Sequence, residues 1–184
     1  MRTEIDARDV GRIVKELALR VAGAMTPCQG INVIGIRTRG EVLAGRLADL
    51  LAGQGITQIG RGVLDVTLYR DDLSEIGPTP LVRPTEIHVD INGRPLLLVD
   101  DVLFTGRSVR AAMDALSDLG RPSVIRLAVL VDRGGRELPI QADFVGLTLT
   151  QVPVDHRVNV RLTEVDGRDQ ILVEPRREAE QVSR

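Results

Sequence analysis

Apolar residues along this chain follow two different periods. From residue 6 to 24, Val10, Ile13, Val14, Leu17 and Val21 recur at steps of three and four, which predicts an amphipathic helix closed by Pro27 and Gly30. Further helices are predicted at 41–52, ended by Gly53 and Gly55, and at 107–119, ended by Gly120 with Pro122 beyond. Between them lie short runs rich in branched residues at 31–36, 63–69, 96–99 and 124–131. Runs that are apolar on both faces predict buried strands of a parallel sheet. Residues 87–91, the pair Asn92-Gly93 and residues 96–99 predict a β-hairpin. Shorter strands are predicted at 143–149, 158–164 and 170–173. The polar segment 70–85, with Gly77, Pro78, Pro80 and Pro84, predicts a long loop of the kind that serves as a lid or binding loop. Strands alternating with helices predict an α/β fold with a mostly parallel, doubly wound sheet and right-handed crossovers.

Composition narrows the class. At 184 residues the chain is expected to form one domain over 1–174, followed by a charged tail at 175–184. No apolar run approaches the ~18 residues of a membrane span, and residues 1–8 are charged rather than signal-like. The single cysteine, Cys28, excludes an internal disulfide framework and points to a reducing, cytoplasmic setting. His88 and His156 are the only histidines, so no structural transition-metal site is expected. A net charge of −2 carries no global signal for nucleic acid. Lys15 is the one lysine among 24 basic residues, which fits either guanidinium recognition of phosphate or a codon bias, the latter being the simpler cause. Tyr69, Phe104 and Phe144 are too few for an aromatic surface that stacks single-stranded bases.

The densest chemistry lies between Leu96 and Ser108. A buried strand ends in two adjacent carboxylates, Asp100 and Asp101, and Thr105-Gly106-Arg107-Ser108 then opens a helix. Strand carboxyl ends are where open α/β sheets bind ligands. Free N–H groups and the dipole at a helix N-terminus favour a phosphate. The carboxylates can accept hydrogen bonds from sugar hydroxyls or hold a hydrated cation. Ribose 5-phosphate suits all three features. Thr105 or Ser108 could instead serve as an ordinary helix cap, but adjacent like charges at a buried strand end are costly for a purely structural loop. Neither a Walker-type loop nor G-x-G-x-x-G occurs in the chain.

This stretch resembles the phosphoribosyl-pyrophosphate (PRPP) motif of type I phosphoribosyltransferases. Together with Gly35-Ile36-Arg37-Thr38-Arg39-Gly40, Thr67-Leu68-Tyr69-Arg70-Asp71-Asp72-Leu73 and Ala128-Val129-Leu130-Val131-Asp132-Arg133-Gly134, in that order, it is similar to the pyrimidine-operon regulator (PyrR) family. The likeness runs from about residue 6 to about 146 and loosely over 162–166. It implies a type I phosphoribosyltransferase fold whose sheet carries a small hood built from N- and C-terminal pieces. It also implies a uracil phosphoribosyltransferase that converts uracil and PRPP to UMP and pyrophosphate, with Mg²⁺ bound mainly through PRPP. A regulatory arm is implied as well, in which UMP promotes binding to a hairpin of pyrimidine-operon mRNA. A homodimer or higher homo-oligomer is the family habit.

The resemblance assigns residue roles. Asp100 and Asp101 would hold the ribose hydroxyls, and Thr105, Gly106, Arg107 and Ser108 the 5′-phosphate, with Val99, Val102, Leu103 and Phe104 completing the PRPP segment. Arg37, Thr38, Arg39 and Gly40 correspond to the pyrophosphate loop, with Arg37 and Arg39 as its cations. Arg70 opens the lid and would reach pyrophosphate on closure, and Arg83 stands at the lid's far end. Asp100, Asp101, Arg39 and Arg70 are the catalytic candidates. Asp71 and Asp72 receive no individual role. Phe104 stands where purine relatives carry an acid and pyrimidine regulators usually a tyrosine, which speaks against a purine substrate. Val131, Asp132 and Arg133 would read uracil, unless Arg133 pins the loop through Asp132. Lys15, Arg133 and Arg136 are the RNA-binding candidates. Glu16, Leu19, Ala24, Gly135 and residues 147–153 depart from the family there. An alternative therefore stands beside the enzyme, a nucleotide-sensing RNA-binding regulator with vestigial catalysis, although the intact lid segment favours the enzyme.

Overall fold

A computed structural model of the chain describes residues 3–25, 30–67 and 85–175. Arg70, Asp71, Asp72 and Arg83 of the expected lid, Cys28, and the tail from residue 176 lie outside the described residues. In chain order the elements are β1 (Thr3–Ile5), α1 (Ala7–Met25), β2 (Ile31–Ile36), α2 (Arg39–Gly53), β3 (Ile59–Leu64), β4 (Glu86–Ile87), β5 (Pro95–Leu103), α3 (Arg107–Leu119), β6 (Val124–Asp132), β7 (Phe144–Thr148), β8 (His156–Arg161), α4 (Thr163–Asp166) and β9 (Gln170–Pro175).

The larger sheet has the order β4-β3-β2-β5-β6-β7, parallel throughout except for β4. Successive side chains of a strand point to opposite faces. Along β5, Leu97 and Val99 accordingly join the core under α1 and α2, while Leu96 and Leu98 join the core under α3. Both faces are buried, and for that reason the run shows no polar alternation. From the central pair the chain winds outward in both directions, β2 to β3 on one side and β5 to β6 and β7 on the other. The carboxyl ends of β2 and β5 thus flank the topological switch point, the crevice where open α/β sheets take ligands.

Two expectations are corrected. The predicted hairpin between 87–91 and 96–99 does not form. The Asn92-Gly93 turn exists, held by Asp90 Oδ1, which accepts from the Asn92 N–H at 2.9 Å. Its flanks part, because β5 is already paired on both edges by β2 and β6, and Glu86 and Ile87 pair antiparallel with Val63 and Gly62 of β3. The strand expected at 63–69 instead spans Ile59–Leu64. Its glycines look like turn signals, yet they are packing residues. A Cβ at Gly60 would lie 2.0 Å from Asn32 Oδ1, and one at Gly62 2.8 Å from Ile34 Cδ1. No described helix is long and apolar enough to cross a membrane.

β1, β9 and β8 form the separate antiparallel sheet of the hood, with α4 between β8 and β9. Arg46 of α2 anchors it. This guanidinium donates to both oxygens of Glu164 (2.8 and 2.6 Å) and both of Asp169 (2.6 and 2.7 Å). Arg46, helped by the Thr163 N–H and hydroxyl, holds the Asp169 carboxyl down to about 2. A carboxyl depressed in the folded state, from the usual value of about 3.9, adds stability above that value and loses it as pH falls toward the folded one. The thermal unfolding midpoint should therefore drop steeply between about pH 4 and 2. An Arg46→Met variant should show a shallower slope across that window, and identical slopes would remove Asp169 as the cause.

Candidate active site

Gly35 and Gly40 bring the two halves of the crevice together. A Cβ on Gly35 would lie 2.4 Å from the Gly40 carbonyl oxygen, and one on Gly40 would lie 2.6 Å from the Val99 carbonyl oxygen. The start of α2 is thus wedged against β2 and β5, next to Asp100. The turn before it contains a cis Arg37–Thr38 peptide.

Asp100 is buried at 7% exposure, and Asp101 is half-buried beside it. Asp100 Oδ1 accepts from the Asp101 N–H and Asp101 Oδ1 from the Val102 N–H, both at 2.9 Å. Burial pushes the Asp101 carboxyl up, against the pull of Asp100, the Val102 N–H and the charge of Arg39. A water-poor carboxylate next to a second one is poised to accept hydrogen bonds from a diol, which repays part of its lost hydration.

Gly106 is the N-cap of α3 at φ 94°, a left-handed conformation suited to glycine, which brings no side chain to cap the helix. Neither Thr105 nor Ser108 is the cap residue. Thr105 Oγ1 accepts a 3.3 Å bond from the Arg107 N–H, while its carbonyl accepts from the Glu137 and Leu138 N–H groups. The first turn holds no acid, so the positive end of the dipole is unopposed there. An anion fits this end. The Arg107 Nε donates instead to Glu137 at 2.7 Å.

The two arginines of the expected pyrophosphate loop diverge. Arg37 is directed toward the β3–β4 edge, 3.5 Å from Glu41 and 3.2 Å from Glu86. Arg39 lies near Asp101, and its Nε and Nη2 donate to the two oxygens of Asp166 in α4 at 3.0 and 2.8 Å. That contact spans 127 positions of sequence, and only the loose likeness at 162–166 hinted at it.

Past Leu103, the end of β6 closes the crevice. Leu103 and Asp132 are register partners, and the Arg133 N–H donates to the Leu103 carbonyl at 3.2 Å. This brings Val131, Asp132 and Arg133 alongside Phe104. The Arg133 guanidinium sits 3.9 Å above the Phe104 ring, a cation–π contact, and Nη1 donates to the His156 carbonyl. The partner of Asp132 is Arg136 at 2.6 Å, rather than Arg133. Arg136 also donates to the carbonyls of Phe104 and Ile140, so this cation clamps the loop. Of the three RNA-binding candidates, Lys15 is exposed on α1, Arg136 is half-buried and Arg133 is buried.

This is the fold of a phosphoribosyltransferase. Residues 2–167 match the phosphoribosyl transferase domain family. Among solved structures the chain is similar to a hypoxanthine phosphoribosyltransferase of Trypanosoma cruzi, with a TM-score of 0.71 at 18% identity, covering 97% of this chain and 94% of that one. A hypoxanthine-guanine phosphoribosyltransferase from Bacillus anthracis gives 0.67 at 19%, covering 94% and 96%. Sequence separates this chain from those purine enzymes. It is 51% identical over 165 residues to the bifunctional protein PyrR of Roseiflexus sp. (strain RS-1), covering 89% of this chain and 88% of the relative. To that of Thermus aquaticus it is 50% identical over 169 residues, covering 91% and 92%. The chain belongs to the PyrR family.

Proposed function

We propose that the chain transfers the phosphoribosyl group of PRPP to uracil and, with UMP bound, regulates pyrimidine-operon expression by binding a hairpin of the messenger RNA. A bond forms between uracil N1 and ribose C1′ while the bond from C1′ to the pyrophosphate oxygen breaks; pyrophosphate leaves with the electron pair, and the N1 proton is released to solvent. The observation that carries this reading is the Asp100–Asp101 pair near the carboxyl end of β5, shortly before the glycine-capped start of α3. Asp100 and Asp101 hold the ribose diol, and the N–H groups of the Gly106–Ser108 turn hold the 5′-phosphate. Arg39 meets the departing diphosphate, and Arg70 and Arg83 are further cations for it. Positive charge at the leaving group and exclusion of water are what a ribosyl-cation-like transition state requires. Mg²⁺, bound mainly through PRPP, would supply charge neutralisation at the leaving group, and the hard oxygens of Asp100 and Asp101 would suit such an ion. Phe104 brings no acid to the base, which supports a pyrimidine read by the backbone around Val131, Asp132 and Arg133. For the RNA arm, Lys15 is the cation best exposed. A cytoplasmic homo-oligomer suits both activities.

The test is conversion of labelled uracil to UMP with PRPP and Mg²⁺, run beside hypoxanthine, guanine and orotate. Uracil-only turnover is expected. Turnover of a purine would overturn the reading of Phe104, and tight UMP binding without turnover would leave only the regulatory arm. A gel shift of a pyrimidine-operon leader hairpin should tighten when UMP is added.

A further inference from the structure

We propose that Asp166, in the hood, is a positioning residue for diphosphate recognition, holding Arg39 side-on so that the other edge of the guanidinium meets the diphosphate of PRPP. The inference rests on the reading of Thr38-Arg39-Gly40 as the pyrophosphate loop.

The geometry of the pair carries it. A guanidinium has five N–H donors in a planar fork. Asp166 engages one on Nε and one on Nη2, at 3.0 and 2.8 Å. That leaves the end-on edge, formed by Nη1 and the second proton of Nη2, for another oxyanion. The Arg39 side chain is 34% exposed, so an incoming anion can reach that edge. Its charge acts on Asp101, and its neighbour Gly40 abuts Val99 and Asp100, so the edge belongs to the same crevice. Asp166 is itself held. Its Oδ2 also accepts the Leu162 N–H at 2.9 Å, and Arg46 anchors the ends of the same segment through Glu164 and Asp169.

Docking the hood does not explain the contact. Arg46 already ties α2 to that segment with four hydrogen bonds. Partly exposed ion pairs add little to stability. What the Asp166 contact adds is a preset Arg39, an otherwise flexible side chain fixed before PRPP arrives.

The experiment compares wild type, Asp166→Ala, Asp166→Asn, Arg39→Ala and the double variant Asp166→Ala/Arg39→Ala. Steady-state kinetics with uracil are combined with calorimetric binding of PRPP, pyrophosphate and UMP. UMP lacks the diphosphate and serves as the internal control. Losing the support should weaken PRPP and pyrophosphate binding roughly tenfold and leave UMP affinity within about twofold. In the Arg39→Ala background, removal of Asp166 should change nothing further. Unchanged PRPP affinity in both Asp166 variants overturns the proposal. So do equal losses of PRPP and UMP affinity with a fallen unfolding midpoint, and so does additivity in the cycle. Asp166→Asn keeps an acceptor for the Leu162 N–H and decides the matter should Asp166→Ala not fold. Absence of wild-type uracil turnover would count against the proposed reaction, while PRPP and pyrophosphate binding would still report on Asp166.

Discussion

Replacing Asp100 and Asp101 together with asparagine should lower kcat/KM for PRPP by about 10²- to 10⁴-fold without unfolding the chain. Each carboxylate offers charged acceptors to a ribose hydroxyl, and a hydrogen bond to a charged group contributes about 1.5–3 kcal/mol. Two such losses make about 3–6 kcal/mol, and each 1.36 kcal/mol is tenfold in rate. The fold survives because an amide oxygen can still accept the Asp101 and Val102 N–H bonds that the carboxylates now accept. Stability should even rise at neutral pH. Burial raises the Asp101 carboxyl, so the folded chain binds its proton more readily than the unfolded chain does. Ionising Asp101 therefore costs stability that builds as pH rises from the unfolded pKa, is full above the folded pKa and is gone below the unfolded one. The midpoint of Asp101→Asn should exceed that of wild type at pH 7 and converge with it in acid. Steady-state kinetics and thermal melts across pH check both halves. Full activity in the double variant would remove the pair from the site.

How much of this was legible in the sequence depends on whether the signal was local. The helix at 107–119 coincides with α3, because it begins after the Thr-Gly pair and ends at Gly120, and both signals sit in the chain itself. The PRPP segment is likewise continuous from Val99 to Ser108, so its residues could be named together. Hairpin prediction at 87–99 failed for the complementary reason. Asn92-Gly93 reports a turn, but nothing local reports that β2 and β6 occupy both edges of β5. β3 begins earlier than the expected strand, and the Asn32 and Ile34 side chains that press on Gly60 and Gly62 are contacts no local pattern reports.

The parts of the site that escaped sequence reasoning are contacts between distant segments. Arg39 and Asp166 meet across 127 positions, and Arg46 reaches Glu164 across 118. α4 has four residues and β1 three, too short for either period to register. Arg136 is an RNA-binding candidate by its place in the sequence, which does not show that its donors also go to Asp132 and to the carbonyls of Phe104 and Ile140. In a chain with one lysine, composition cannot separate the arginines that clamp structure from those that are candidate phosphate ligands.

Gly35→Ala should cost both stability and catalysis, because one added methyl would strike backbone. The new Cβ would lie 2.4 Å from the Gly40 carbonyl oxygen, 2.5 Å from Glu41 Cα and 2.7 Å from Glu41 N. None of these atoms can rotate away, so the start of α2 must move off β2. Overpacking of this kind costs about 1–3 kcal/mol, which for a chain of this size lowers the midpoint by about 2–12 °C. The same movement carries Arg39 and Gly40 away from Asp101 and Asp100. Displacement by an ångström can cost about a hundredfold in rate, so kcat/KM for PRPP should fall that far. UMP affinity should fall much less, since its phosphate is proposed to sit at the α3 end of the crevice. Gly45→Ala supplies the control within the same helix. Nothing lies within 4 Å of its added Cβ, and alanine for glycine inside a helix should raise stability by about 0.5–1 kcal/mol. Opposite signs for the two substitutions would show that Gly35 is required for the space it leaves, and equal small effects would mean that α2 is not wedged against the sheet.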